Sequence, residues 1–338
     1  MNTPRLFVFT ILVVTLLTSC DSDKPKTHTP EESVKKPVVN VMVPDFNADT
    51  TYRFIEKQVA FGPRIPGSVA QGKCAQWIIT TLKSFADTVI VQDLKVELYN
   101  GKTVPCKNII GSFNPGVKKR ILLCAHWDTR PWSDQDSVNK KSAFDGADDG
   151  GSGVGILLEI ARLIKSNKIN VGIDIAFFDV EDYGPPSWEE QRGEEKPTAY
   201  CIGTQQWANH PHIENYRAYY GILLDMAGAK NARFPQEGLS LQYAPSVVKN
   251  VWETANSLGY GNYFIYEKTG AITDDHAFVN SLNGTPCIDI INMEKTSPTG
   301  FARHWHTQKD NMSIIDKATL KAVGQTLLQV IYSEAPDA

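Results

Sequence analysis

The rhythm of apolar and polar positions changes several times along the chain, and each change marks an element. Over 48–61 and 68–85 apolar residues recur three and four apart, the period of an amphipathic helix. Between them Gly62-Pro63-Arg64-Ile65-Pro66-Gly67 is rich in breakers and reads as a loop. Residues 88–98 alternate apolar and polar, as a half-exposed strand does. Continuous apolar runs follow at 108–111, 120–124, 173–180, 219–225, 263–266 and 287–292, each with the length and composition of a buried strand. Helical stretches separate them at 153–165, 204–209, 244–258 and 275–282, and an amphipathic helix over 315–333 follows the last run. Strands alternating with helices predict an α/β fold: a three-layer sandwich whose central sheet is mixed, mostly parallel, and covered by helices on both faces. Neither a repeat nor a linker interrupts the pattern after residue 47, so 47–338 reads as one catalytic domain.

The first residues follow a different logic. Arg5 precedes an apolar run, 6–17, that is too short to span a bilayer but suits the core of a signal peptide. The run ends in Leu17-Thr18-Ser19-Cys20, which resembles a bacterial lipoprotein cleavage box. That resemblance implies a signal peptide over 1–19 and lipid on Cys20. It also implies an exported enzyme, periplasm-facing or attached to the outer membrane and touching the membrane through the lipid alone. Residues 20–46 are rich in Pro, Lys, Thr, Glu and Ser and are expected to form a solvated tether.

Composition narrows the chemistry. Lys+Arg total 34 against 38 Asp+Glu, a formal net charge of −4, so nucleic acid finds no basic excess to bind. Hydrophobic residues at 42% exclude a largely disordered chain. Six cysteines are too few for a disulfide scaffold of this length.

In open α/β sheets ligands gather at the carboxyl ends of strands. Several apolar runs here end in metal-ligating or proton-handling residues: His126-Trp127-Asp128, Glu181-Asp182 and Asp225. Asp145-Gly146-Ala147-Asp148-Asp149-Gly150-Gly151 opens a helix, and His304-Trp305-His306-Thr307 comes late in the chain. Oxygen and nitrogen ligands converging from separate strands suit a hydrolytic zinc site with three protein ligands and an open fourth position. The sequence carries no Gly-x-Ser-x-Gly elbow, Walker loop or dinucleotide fingerprint. Of the other histidines, His210 and His212 are expected in solvent, His276 behind the site, and His304 outside the ligand set. Trp127, Trp132, Trp207 and Trp252 are expected in the core or at an interface, although Trp127 and Trp132 could instead rim the site beside Arg130.

Taken in order, these clusters resemble the zinc-dependent exopeptidase superfamily, with His126-x-Asp128, Gly146-Ala147-Asp148-Asp149, Glu181-Asp182, Asp225 and His306. Within it the chain is most similar to glutaminyl-peptide cyclotransferases of the animal type. The marks are Phe177-Phe178-Asp179-x-Glu181-Asp182, Leu224-Asp225-x-x-Gly228-Ala229, Asp274-Asp275-His276 and Trp305-His306-Thr307-x-x-Asp310-Asn311. The resemblance implies one zinc held by Asp149, Asp182 and His306. It implies Glu181 as general base, Asp225 and Asp274 as mutually hydrogen-bonded orienting carboxylates with Asp289 nearby, and Trp188, Phe301 and Trp305 as an aromatic pocket wall. Substrates would be peptides and proteins that begin with Gln. Two departures stand out: Asp182 replaces the usual Glu, and Asp289 replaces a His. His126 and Asp128 occupy the positions that, in aminopeptidases, supply a ligand and an orienting carboxylate for a second metal. A dinuclear zinc aminopeptidase is therefore the alternative, and a non-catalytic binding member a third.

Overall fold

The computed structural model describes residues 42–190 and 197–335, which fall within one compact unit, Val41–Ala338. The signal peptide and Cys20 lie outside the described residues. The strands are β1 (Thr88–Glu97), β2 (Thr103–Phe113), β3 (Arg120–His126), β4 (Gly172–Phe178), β5 (Tyr220–Asp225), β6 (Phe234–Gln236), β7 (Phe264–Lys268) and β8 (Cys287–Ile291). The helices are α1 (Ala48–Val59), α2 (Val69–Lys83), α3 (Gly151–Ser166), α4 (Ser187–Glu190), α5 (Ile202–Asn209), α6 (Gly238–Tyr243), α7 (Pro245–Ser257), α8 (Asp275–Phe278) and α9 (Lys317–Tyr332).

Six strands form one sheet in the order β1-β2-β4-β3-β5-β8. β1, β2 and β4 pair antiparallel, whereas β4, β3, β5 and β8 run parallel. The parallel strands are buried on both faces, which is why they read as unbroken apolar runs. Alternate residues of one strand serve different layers. Ile121, Leu123 and Ala125 of β3 join the larger core with residues of α1, α3, α7 and α9. Leu122 and Cys124 face Trp207, Tyr216 and Val279 in a second core. The two cores, one on each face, make the predicted three-layer sandwich.

Four expectations need correction. The run at 263–266 is not a central strand: β7 pairs only with β6 in a separate two-stranded ribbon, and its residues after Phe264 face outward. The stretch 108–111 is the buried middle of a longer strand, which pairs with β1 along nearly its whole length and whose first half alternates exposed and buried residues. Phe46, placed in the tether, is 2% exposed and packs against Gly324 of α9, so ordered packing starts before residue 47. His212 is not solvated, because Trp207 Nε1 donates to its Nδ1 at 3.1 Å and its side chain is fully covered. Cys74, Cys106, Cys124, Cys201 and Cys287 are free thiols, and all five are buried.

Candidate active site

The parallel strands end together, and the backbone turns sharply after β4 and β5 and again at His306 in the late loop. Val180, Met226 and His306 all adopt positive φ, at 55°, 46° and 54°. Such backbone is costly for residues with a side chain and concentrates at functional sites. Gly150 is required for a different reason. A Cβ there, at φ +81°, would stand 2.9 Å from both His126 Cε1 and the Asp128 carbonyl oxygen. The glycines ahead of α3 let Asp149 approach β3 closely.

Asp149 is the centre of the arrangement. His126 Nε2 lies 3.1 Å from its Oδ1, and His306 Nε2 lies 3.7 Å from its Oδ2. On the first side Asp225 Oδ1 is 3.2 Å from the same His126 nitrogen. On the second, Asp182 Oδ1 is 3.2 Å from His306 Nε2, so the shorter Asp reaches as a Glu would. His126–Asp149–Asp225 and Asp149–Asp182–His306 each present three ligand atoms within 4.8 Å of one another. Asp149 Oδ2 and Asp182 Oδ2 are buried without a hydrogen-bond partner. Unpartnered buried carboxylate oxygens beside an imidazole nitrogen are the donor set that zinc takes.

Carboxylates behind this layer set its geometry. Asp128 accepts the backbone N–H groups of Glu181 (3.0 Å) and Asp182 (3.3 Å), fixing both residues from the neighbouring strand. Its distance to His126 Nδ1 is 3.7 Å, too long for a hydrogen bond. Asp128, expected as the orienting carboxylate of His126, makes its hydrogen bonds to the turn after β4. Asp310 does the same for the helix opening, accepting from Asp148 N (2.7 Å) and Asp149 N (3.1 Å). Asp134 stands 3.2 Å from His306 Nδ1 and is itself gripped by two nitrogens of Arg130, at 3.1 and 2.8 Å. Sequence reading missed Asp134. Its only signal is an unremarkable Arg130-x-x-x-Asp134 spacing.

Beside these two triads is a further group of acids, Glu181, Asp274 and Asp289, with Cys201 and His276 among them. Glu181 touches one side chain by hydrogen bond, the Cys201 thiol, at 3.3 Å. Burial pushes the Glu181 carboxyl well above its ordinary range, and nearby Asp182 and Asp274 add to this against the pull of His126. Burial likewise raises Asp225 to about 6 and Asp274 to about 7. Asp225 Oδ1 faces His126 Nε2 at 3.2 Å, and the nearby Asp225 charge adds to the rise of Asp274. Asp274 caps α8, accepting from Asp275 N at 2.5 Å, and groups with Asp289 and His276. Burial and the neighbouring Asp274 raise Asp289 strongly, which favours its neutral form. His276 Nε2 is 3.0 Å from Glu237, a residue the sequence reading also missed. Burial alone would raise Glu237, but His276 and the N–H groups of Leu239 and Ser240 hold it down at about 2.

The aromatic residues form two groups. Phe301 packs tilted against Trp305 at 4.6 Å, and Trp305 stacks on His306 at 3.7 Å. Trp188, 36% exposed, meets Trp132 edge-on at 6.0 Å, and Arg130 sits over Trp132. Trp132 therefore belongs to the rim, whereas Trp127, Trp207 and Trp252 are fully buried.

A model of peptidase family M28 matches residues 108–331. The chain belongs to peptidase family M28. Solved members of similar sequence share its fold. The glutaminyl cyclase of Tannerella forsythia is 51% identical with a TM-score of 0.83, the match covering 86% of this chain and 100% of that one. A Zn-dependent exopeptidase from Parabacteroides distasonis is 53% identical with a TM-score of 0.84, covering 87% and 100%. The glutaminyl-peptide cyclotransferase of Bothrops jararaca is 27% identical over 258 residues. That match takes in 67% of this chain and spans 65% of the snake protein's length. Zinc suits a family that includes a Zn-dependent exopeptidase of this fold, and this chain carries residue groups that could hold a metal ion.

Proposed function

We propose that the chain is a zinc-dependent glutaminyl-peptide cyclotransferase, converting the N-terminal Gln of peptides and proteins to pyroglutamate with release of ammonia. The observation that carries the reading is Glu181, a partly buried carboxylate next to a ligand-type Asp but outside the two ligand groups around Asp149. It stands with Asp274 in a cluster whose ligand-type atoms lie within 4.8 Å. The 51% identity to a protein described as a glutaminyl cyclase supports it.

Asp149, Asp182 and His306 would hold one zinc ion, which when bound supplies a Lewis acid for the side-chain carbonyl of Gln. The remaining work falls to the chain. Asp225 and Asp274 hold the α-amine and the amide nitrogen by hydrogen bonds. Glu181 accepts a proton as the α-nitrogen bonds to the side-chain carbonyl carbon, and returns one to the departing nitrogen as the carbon–nitrogen bond breaks. Phe301 and Trp305, with Trp188 across the rim, fold the side chain back toward the amine and exclude water.

A second reading, a two-zinc aminopeptidase, is favoured by one observation: Asp149 offers its other oxygen to His126 and Asp225. Product analysis decides. With a Gln-initiated and a Leu-initiated peptide, the cyclase releases ammonia and leaves a blocked Gln peptide. Free Leu or Gln would overturn the reading in favour of the aminopeptidase. Export as a lipoprotein, periplasm-facing or on the outer membrane, completes the proposal and is supported by Leu17–Cys20. Palmitate labelling that persists in Cys20→Ala would refute it.

A further inference from the structure

The chemistry above leaves unused a second concavity at the same end of the sheet. It is an open groove of about 1020 Å³, built by the loops that follow β5 and β8 and by the β6–β7 ribbon. Five cationic side chains line it: Lys230, Arg233, Lys268, Lys295 and Arg303. Two acids line it as well, and both are already engaged. Lys295 Nζ is 2.6 Å from Glu267, which Arg233 also attracts, and Arg303 Nε is 2.8 Å from Glu294. Lys230, Arg233 and Lys268 are exposed, and no side-chain hydrogen bond or close ion pair among the described residues holds any of them. A net positive groove thus sits on a chain whose formal net charge is −4.

Its place relative to the aromatic pair gives it a purpose. Gly300 and Ala302, on either side of Phe301, line the groove, and so does His304, two residues before His306. The groove therefore begins at the outer side of the Phe301–Trp305 pair. A peptide whose first residue sits against that pair must carry its following residues out past it. An extended chain advances about 3.3 Å per residue, so the next few side chains fall within reach of the three unpaired cations.

We propose that this groove binds acidic side chains located a few positions after the N-terminal residue of the peptide substrate. The identity of that first residue rests on the cyclase reading. The contribution of the groove does not, because charge complementarity acts on the downstream segment alone. Being exposed, the contacts weaken as the screening length falls from about 10 Å at 0.1 M salt to about 3 Å at 1 M.

The test compares Gln-Ala-Ala-Ala-Ala with Gln-Ala-Glu-Glu-Glu on the full chain and on the triple variant Lys230→Ala, Arg233→Ala, Lys268→Ala. The acidic peptide is expected to show about five- to tenfold higher kcat/KM, carried by KM and lost in high salt. The triple variant should erase that advantage while turning over the neutral peptide as before. Equal kcat/KM for the two peptides in the unaltered protein, or an advantage that survives the triple substitution, would overturn the proposal. A fluorescent N-acetylated Ala-Glu-Glu-Glu peptide keeps the groove testable if neither peptide is cyclised. Saturable anisotropy binding that the triple variant abolishes supports the groove even then, whereas no binding refutes it. Binding of phosphatidylglycerol vesicles that needs the three cations, with indifference to both peptides, would assign the groove to a membrane surface instead and likewise refute it.

Discussion

The two histidines on either side of Asp149 share its carboxylate but not its manner of support. His306 is held from behind: Asp134 faces its Nδ1 at 3.2 Å, and Arg130 clamps Asp134. His126 is crowded by acids on every side, yet its Nδ1 is 3.7 Å from Asp128 and 3.8 Å from Glu181, beyond hydrogen-bond reach. Metal-binding histidines are oriented by a partner on the opposite ring nitrogen, which fixes both the tautomer and the direction of the lone pair. By that criterion the His306 side is the better backed, with a carboxylate 3.2 Å from its Nδ1 against 3.7 Å for His126, although neither Nδ1 has a hydrogen-bond partner among the described residues. The difference teaches that a full complement of ligand-type residues is not yet a binding site. What separates the two sides is the layer behind them.

That comparison can be broken most directly by removing the ion. Chelation, or His306→Ala, should abolish turnover and leave metal well below one equivalent by atomic absorption; activity retained without metal would defeat the assignment. Glu181→Gln comes next. It should keep zinc and fold while lowering kcat by about 10²–10⁴, and near-normal kcat would remove Glu181 as the base. Asp134→Ala sharpens the contrast further, since it removes the carboxylate behind His306 along with its contacts to Arg130 and the Ser187 N–H. Zinc affinity should fall by about 10–100-fold in a competition titration, and unchanged affinity would mean that the ring needs no backing. His126→Gln should leave the zinc content at one per chain; a fall from two to one would place a second metal on that side. The smallest effect is expected at Cys201, whose thiol contacts Glu181. Cys201→Ala should reduce kcat a few-fold with KM unchanged, and Cys201→Ser should restore it. Identical values for the two variants would show that the thiol contact does not matter.

The architecture was legible because burial on both faces writes a parallel strand as an unbroken apolar run, and β3, β4, β5 and β8 all carry one. The first rank of polar residues was legible for a related reason: His126, Glu181-Asp182 and Asp225 each follow such a run, while Asp149 opens the helix after β3 and His306 was found by its Trp305-His306-Thr307 resemblance. Asp134, Glu237 and Cys201 were not visible. Each works through a contact with a residue far along the chain, and the partners meet only after the sheet forms. The β6–β7 ribbon misled for a different reason. Tyr263–Ile265 is apolar enough for a central strand, but packing against Trp252 of α7, rather than against strands, is what Phe264 satisfies.

The five buried thiols make the molecule a recorder of its own openings. A thiol inside a packed core reacts with an alkylating reagent only when the surrounding segment unfolds, so its labelling rate counts those events much as hydrogen exchange does. Cys74 lies in α2, Cys106 in the edge-pairing strand β2, Cys124 at the centre of the sheet, Cys201 at the start of α5 and Cys287 in β8. Five reporters therefore sample the fold from its margin to its middle, and the order in which they react would rank the parts of the molecule by how often each comes apart.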